Sequence, residues 1–340
     1  MTIIQPTTQR SLRQPRQAGA GGRSANTSAH QAALAPRLTP RDRWLLRMLH
    51  EHRILTTAQI RQLAFPSARS TAKRLLELYR WRLVDRFRTF VPTGTSPAHY
   101  VLDTAGATAL AAQHGLEPKQ LGYRHDRAVG IAHSLRLAHT VGVNGWFTAL
   151  VAHARRDTGA RLAAWWSETR CACNFGDLAR PDGYGRWTQF GRHIEFFLEY
   201  DLGTEPTTRV AAKLYDYAAL ATTTGITTPV LIWVPTARRE ATVSRAVAQT
   251  WRQLDDPSAV PVATAAADLL TAEDAAADGG SPAAHVWQPL DHNHRYGLAD
   301  LSTVWPGAAP PTPTGDADGP TNDQDGLPAP DPMPPQPPWR

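Results

Sequence analysis

The stretch Arg180–Glu205, RPDGYGRWTQFGRHIEFFLEYDLGTE, sets a Gly-bracketed polar turn ahead of an apolar run that ends in acids. Successive side chains of an extended strand alternate between its faces. Over HIEFFLEYD this puts Ile194, Phe196, Leu198 and Tyr200 on one face and Glu195, Phe197, Glu199 and Asp201 on the other. Glu199 and Asp201 therefore point the same way. If YGRWTQFG makes the hairpin, Asp182, seventeen residues before Glu199, lies at or near the adjacent strand. Three carboxylates then converge at a sheet edge, and hard oxygen donors of that kind suit Mg2+ or Mn2+. An ion held there would activate water and stabilise charge in phosphodiester cleavage. Phe197 among polar neighbours suggests a partly buried face, where unpaired acids are costly without an ion or a basic partner such as Lys213. The simpler reading of Glu199, Asp201 and Glu205 is a solvated strand end and a cap for the helix near Thr208.

On the C-terminal side of this hairpin follow a helix, TTRVAAKLYDYAALATTTG, stopped at Gly225, the apolar strand TPVLIWVPTA, the helix RREATVSRAVAQTWRQL and a short strand, AVPVATAA. On its N-terminal side RLAAWWSETRC reads as a strand. Before that, HDRAVGIAHSLRLAHTVGVNGWFTALVAHARR reads as one long helix, preceded by the helix TAGATALAAQHG. The order αβββαβαβ predicts a mixed sheet covered on both faces. Cys171 and Cys173 form a C-x-C pair with no second pair, too few ligands for structural zinc, and read as ordinary strand residues. His133 and His139, six apart, do not share a helix face and read as packing or hydrogen-bonding residues.

The N-terminal part of the chain carries the charge. Between Leu38 and Pro92 eleven Arg and one Lys stand against four acidic residues, a net +8 where the whole chain has +6. That concentration is an electrostatic footprint for a polyanion. In LTPRDRWLLRMLHEHRILT, Thr39 caps a helix and Pro40 suits its first turn. A short helix starts at Thr56 or Thr57, and a third runs through SARSTAKRLLELYRWRLV with Leu75, Leu76 and Leu78 on its buried side. LVDRFRTF and HYVLDT then flank a Gly/Pro-containing turn. Three helices and a hairpin predict a winged helix-turn-helix. Its recognition helix would present Arg69, Ser70, Lys73 and Arg74 to the major groove, and its wing strand Arg86 or Arg88 to phosphate. A winged helix used for protein contacts is the competing reading.

Four segments are expected: a basic disordered arm over 1–36, the winged helix over 37–118, the mixed-sheet domain over 119–275 and a Pro/Asp-rich disordered tail over 276–340. Residues 37–275 should then fold without either tail. With no membrane-length apolar run and no secretory h-region in MTIIQPTTQRSLRQPRQAGAGGRSANTS, the cytoplasm is the expected compartment and no membrane partner is expected.

Pro181-Asp182 followed by an apolar strand ending in Glu199-Tyr200-Asp201 resembles the PD-(D/E)xK nuclease core. Where that family has its lysine, two residues after the second acid, this chain has Asp201; Lys213 on the next helix would supply the charge. A wider resemblance covers about Leu38 to Leu270: LTPRD, HSLRLAH, RPDG and LEYDLGTE followed by KLYDY look like the actinobacterial replication-relaxation family, linked to plasmids and other mobile elements. It implies an α+β or α/β protein, a winged helix followed by a restriction-endonuclease-like mixed sheet with flanking helices. The expected partners are double-stranded DNA, a relaxase or replication protein, and a second copy of the chain. Asp182, Glu199, Asp201 and Lys213 would be catalytic, with Asp182, Glu199 and Asp201 holding Mg2+ or Mn2+. The rival readings are a metal-dependent nicking endonuclease and a transcriptional repressor whose C-terminal domain only dimerises.

Overall fold

A computed structural model describes residues 23–89, 96–176, 178–270, 280–308 and 327–335. They fall into two compact units, one up to Gly145 and the other from Trp146 onward, with 327–330 assigned to the first and Asp331–Met333 to the second. The fold combines helices with a three-stranded antiparallel sheet and a six-stranded mixed sheet.

In the first unit α1 (Ser28–Leu34) precedes α2 (Pro40–His52), β1 (Leu55–Thr56), α3 (Thr57–Ala64) and α4 (Ala68–Arg80). Each main helix starts where the sequence supplies a cap. Thr39 and Asp42 exchange side-chain and backbone hydrogen bonds across the first turn of α2, Thr56 and Gln59 do the same for α3, and the Ser67 hydroxyl accepts from the Ser70 N–H at α4. Strands β2 (Val84–Arg88) and β3 (Ala98–Leu102) pair antiparallel, and β1 joins the far side of β3, giving the order β1-β3-β2. Most of the expected turn between β2 and β3, residues 90–95, lies outside the described residues. Leu45, Leu46, Ile60, Leu63, Leu75 and Leu78 form the fully buried core between helices and sheet; Leu76 is only half-buried. Helix α5 (Thr104–Gln113) approaches so closely that a Cβ on Gly106 would sit 2.1 Å from the Leu83 carbonyl oxygen, which makes glycine obligatory there.

Three expectations change in this unit. The arm expected to stay disordered to residue 36 is ordered from Arg23: Leu34 of α1 is buried, and Arg23 pairs with Asp85 at 3.3 Å and with the fully buried Asp103. A buried carboxylate needs such a partner, and this one is reached from the arm. Residues 1–22 lie outside the described residues. The helix expected from His125 is broken into α6 (His125–Gly130), a 3-10 turn (Ile131–His133) and α7 (Leu137–Ala154). Ser134 takes an extended conformation there, and its hydroxyl accepts the Arg136 N–H, the local alternative to continuing the helix. The unit also extends past residue 118, because Ile131 and Ala132 pack with Ile54, Phe87 and Val101, and Asn144 donates to the carbonyls of His52 and Ile54.

The second unit is built on a sheet of order β4-β5-β6-β7-β8-β9: β4 (Ala160–Ser167), β5 (Gly183–Gln189), β6 (Arg192–Tyr200), β7 (Val230–Val234), β8 (Val262–Ala266) and β9 (Gln288–Pro289). The pairs β4–β5 and β5–β6 are antiparallel, β6–β7 and β7–β8 parallel. Parallel neighbours require crossovers, supplied by α9 (Thr207–Thr224) and α10 (Ala237–Trp251). Trp146, Phe147, Trp165, Phe196, Trp233 and Trp287 make an aromatic core in stacked and edge-to-face contacts.

Here too the structure departs from expectation. Ser167 ends β4 and caps a helix, α8 (Glu168–Phe175), so Cys171 and Cys173 are helical rather than strand residues. The segment after 276 does not stay apart from the fold. Residues 280–308 pack onto the sheet: β9 pairs with β8, Trp287 and Leu298 are fully buried, and α11 (Leu301–Val304) follows with Leu301 buried. Arg295 grips the buried Glu240 of α10 through two bonds of 2.9 and 2.8 Å. A few large apolar side chains spaced among Pro, Gly and Asp suffice, because a ready-made edge strand receives them. Residues 309–326 and 336–340 of the expected tail lie outside the described residues. Among those described, no helix is long and apolar enough to cross a membrane.

Candidate functional site

Strand β6 ends at the carboxyl edge of the parallel half of the sheet, the edge at which open α/β sheets gather ligands. Glu199 is the penultimate residue of β6 and is buried, as are Asp182 and Asp201. Asp182 sits immediately before β5, where its N–H donates to the Leu198 carbonyl at 3.0 Å and its Oδ2 accepts the Tyr200 N–H at 2.8 Å. The Pro181-Asp182 turn is thereby fastened to β6. Helix α9 runs past the same edge and offers Lys213 and Tyr217, four residues apart and so on one helix face. Lys213 Nζ donates to Glu199 Oε2 at 2.6 Å, and the Tyr217 hydroxyl donates to Glu199 Oε1. The Tyr217 ring stacks on Phe197 at 5.3 Å, which seals one side of the carboxylate.

Two acids share one cation in this cluster, and the protonation equilibria follow. Burial, then the charge of Asp182, pushes Glu199 up to about 7, against the opposing pull of Lys213 and the Tyr217 hydroxyl. Burial alone would lower Lys213, but Glu199 and Asp182 hold it above the ordinary lysine range. Tyr217 is pushed far up by burial and by Glu199. The lysine is therefore held in its charged form, while Glu199 is pushed toward its neutral one.

Asp201 does not join this cluster. Its Oδ2 accepts from Arg239 Nε of α10 at 2.7 Å and its Oδ1 from the Gly203 N–H at 2.7 Å, while Arg239 also donates to the Glu205 carbonyl. Glu205 stands 3.9 Å from Lys213, and Glu195 pairs with Arg186. The expected three-carboxylate set has thus become two carboxylate–cation assemblies, one on α9 and one on α10. Among the described residues no three His, Cys, Asp or Glu side chains group as a metal site. Each Glu199 oxygen and each Asp201 oxygen accepts from one protein donor, and Asp201 is turned to Arg239 rather than to the Asp182–Glu199 pair. Asp182, Glu199 and Lys213 stand together at the end of β6. Tyr217 and Arg239 were missed; Tyr217 stands in the KLYDY string, whereas nothing local in the sequence couples Arg239 to Asp201.

In the first unit the six expected DNA contacts separate by their present partners. Arg69 and Lys73 are exposed on the N-terminal half of α4 and enter no ion pair among the described residues. Ser70 is bonded to Ser67. Arg74 is held by Asp42 at 2.9 Å and Glu77 at 2.7 Å and lies over the Trp81 ring, and the hydrogen bond to Asp42 raises its pKa further. Arg86 lies over Tyr79, and Arg88, exposed, donates to the Ser96 carbonyl.

The sequence model of a family described as replication-relaxation matches residues 46–235, more than half of the chain's 340 residues. No curated protein and no solved structure matches the chain.

Proposed function

Because the chain belongs to the replication-relaxation family, we propose that it acts in the replication or relaxation of plasmid or mobile-element DNA as a duplex-binding protein, with its first unit serving as a winged helix. One observation carries the reading. Arg69 and Lys73 project from the start of the helix that would enter the major groove, without an ion-pair partner among the described residues, in a segment with a net charge of +8. Arg88 adds an exposed cation on β2. Arg74, fixed within the fold, is better read as support for α4 than as a DNA contact. Replacing Arg69 and Lys73 together by Gln is expected to weaken duplex binding and to flatten the slope of log affinity against log salt by roughly 0.9 for each phosphate no longer neutralised. An unchanged slope would remove the first unit as the DNA-binding element.

A second reading, a metal-dependent nicking endonuclease, rests on the meeting of Asp182, Glu199 and Lys213 at the carboxyl edge of the sheet. It has against it the protein donors that already occupy both Glu199 oxygens. Supercoiled plasmid incubated with Mg2+ or Mn2+ separates the two. Nicking that disappears in Glu199→Gln would favour the enzyme; plasmid left supercoiled by a protein that binds it leaves the duplex-binding reading standing alone.

A further inference from the structure

The β5–β6 hairpin turns on Phe190-Gly191, closing the Gln189–Arg192 pair. Two-residue hairpin turns put their central residues at positive φ, which Asn and Gly accept at little cost and a bulky aromatic does not. Phe190 sits at φ 49° beside Gly191 at 78°. It is also 76% exposed, above any other large apolar side chain among the described residues. The ring is nonetheless seated: a Cβ on Gly159 would lie 2.7 Å from Phe190 Cε1, and the Phe190 N–H donates to the Gly159 carbonyl at 2.9 Å. One side of the ring is steadied by backbone and the rest faces water.

Cations flank this tip on both faces of the hairpin, Arg161 on one and Arg192 on the other. Arg155 and Arg156 are exposed in the turn after α7, and that turn is tied to the hairpin through Gln189, whose amide meets His153 at 3.1 Å and Asp157 at 3.2 Å. Burial lowers the Arg155 pKa, and the adjoining charge of Arg156 lowers it further. Arg161, Thr188 and His193 form one cross-strand row next to the turn. Arg161 pairs with Asp331 at 2.7 Å and Arg192 with Asp300, yet each arginine keeps more than half of its side chain in water. Exposed pairs of this kind are weak, so either guanidinium exchanges a carboxylate for a phosphate readily.

We propose that the hairpin tip is a stacking platform for single-stranded DNA, with Phe190 taking an unpaired base on its open face and Arg155, Arg156, Arg161 and Arg192 holding the flanking phosphates. A held aromatic ring within a cationic surround is the general means of binding single strands without sequence preference. A paired base has both faces covered by its neighbours, so a ring finds a base face only where the duplex is open. A protein partner would instead call for an apolar surround with few charges. The choice of DNA over RNA rests on the function proposed above; the platform belongs to the second unit and the duplex contacts assigned to α4 to the first.

The test uses the full chain, a fluorescein-labelled oligothymidylate of about 12 nucleotides and a labelled duplex, both read by anisotropy. Phe190→Ala is expected to weaken oligothymidylate binding about 10-fold or more, Phe190→Trp to preserve it, and Asp331→Asn to strengthen it, all with duplex binding unchanged. Replacing Arg155 and Arg156 by Gln should flatten its salt dependence. Wild-type protein that does not bind the oligonucleotide, or Phe190→Ala binding it as tightly as wild type, overturns the proposal. So does a dimer, seen in sedimentation, that Phe190→Ala dissociates without touching oligonucleotide binding, since the tip would then belong to a second copy of the chain. Loss of duplex binding alone, with Phe190-dependent oligonucleotide binding intact, would count against the α4 reading and support the platform.

Discussion

A chain ended after residue 275 is expected to lose the cooperative melting of its second unit. The removed part carries Trp287, Leu298 and Leu301, all fully buried, and Arg295, the partner of the buried Glu240. Truncating a buried Trp to Ala alone costs about 3–5 kcal/mol, and stranding a buried charge costs about as much again. Against a typical total of about 5–15 kcal/mol for a domain, the two together leave little or nothing. Urea unfolding followed by tryptophan fluorescence reads the effect, and Trp287→Ala in the full chain isolates the first component at about 3–5 kcal/mol. A truncated chain that melts as sharply and at the same midpoint as the whole would show that residues 280–308 are an ornament on the fold.

Replacing Lys213 by Met is expected to destabilise the protein by about 3 kcal/mol at pH 8 and by less than about 1 kcal/mol at pH 5. The change leaves Glu199 buried beside Asp182 with only the Tyr217 hydroxyl to satisfy it. The low end of the usual range applies because Lys213 retains about a third of its exposure, so water screens the pair. The pH dependence follows from the raised pKa. Glu199 titrates near 7 in the folded chain and near the ordinary carboxylate value when unfolded. A carboxyl raised in this way favours the fold at low pH and loses that contribution as pH rises through 7. Without the lysine its pKa climbs further, so wild type and variant both carry a neutral Glu199 at pH 5 and differ most where wild type is ionised. Urea melts at the two pH values test this; an equal loss at both would mean that Lys213 contributes only its aliphatic stem.

What was legible in the sequence was what local rules determine. Thr39, Thr56 and Ser67 fix three helix starts by short-range hydrogen bonds, and strand alternation with a Gly turn fixes the β5–β6 hairpin that carries Asp182 and Glu199. The approach of Lys213 to Glu199 was also within reach, because one helix follows one strand. Other features depend on groups distant in the chain. Asp201 faces Arg239 rather than the cluster because α10 starts just past β7, the parallel neighbour of β6, which no spacing around Asp201 reveals. Residues 280–308 look like a tail by composition, yet a waiting sheet edge and one buried carboxylate order them. Helix α8 hid inside an apparent strand because Trp165 and Trp166 carry β character up to Ser167, whose capping hydroxyl then reverses the preference within a single residue.

The change of direction at β6 has a consequence for the order of assembly. With β5 this strand shares a two-residue turn; with β7 it pairs only after α9 has crossed back over the sheet. Local hairpins close within microseconds, and pairings that wait on longer loops come later. On the bare hairpin Glu199 is an ordinary hydrated carboxylate. Helix α9, which lays Tyr217 against Phe197 beside it and so helps to strip its water away, is the same element that delivers Lys213 and Tyr217. Desolvation and compensation therefore arrive in one step, and the folding chain is spared an intermediate in which this charge is dry and alone.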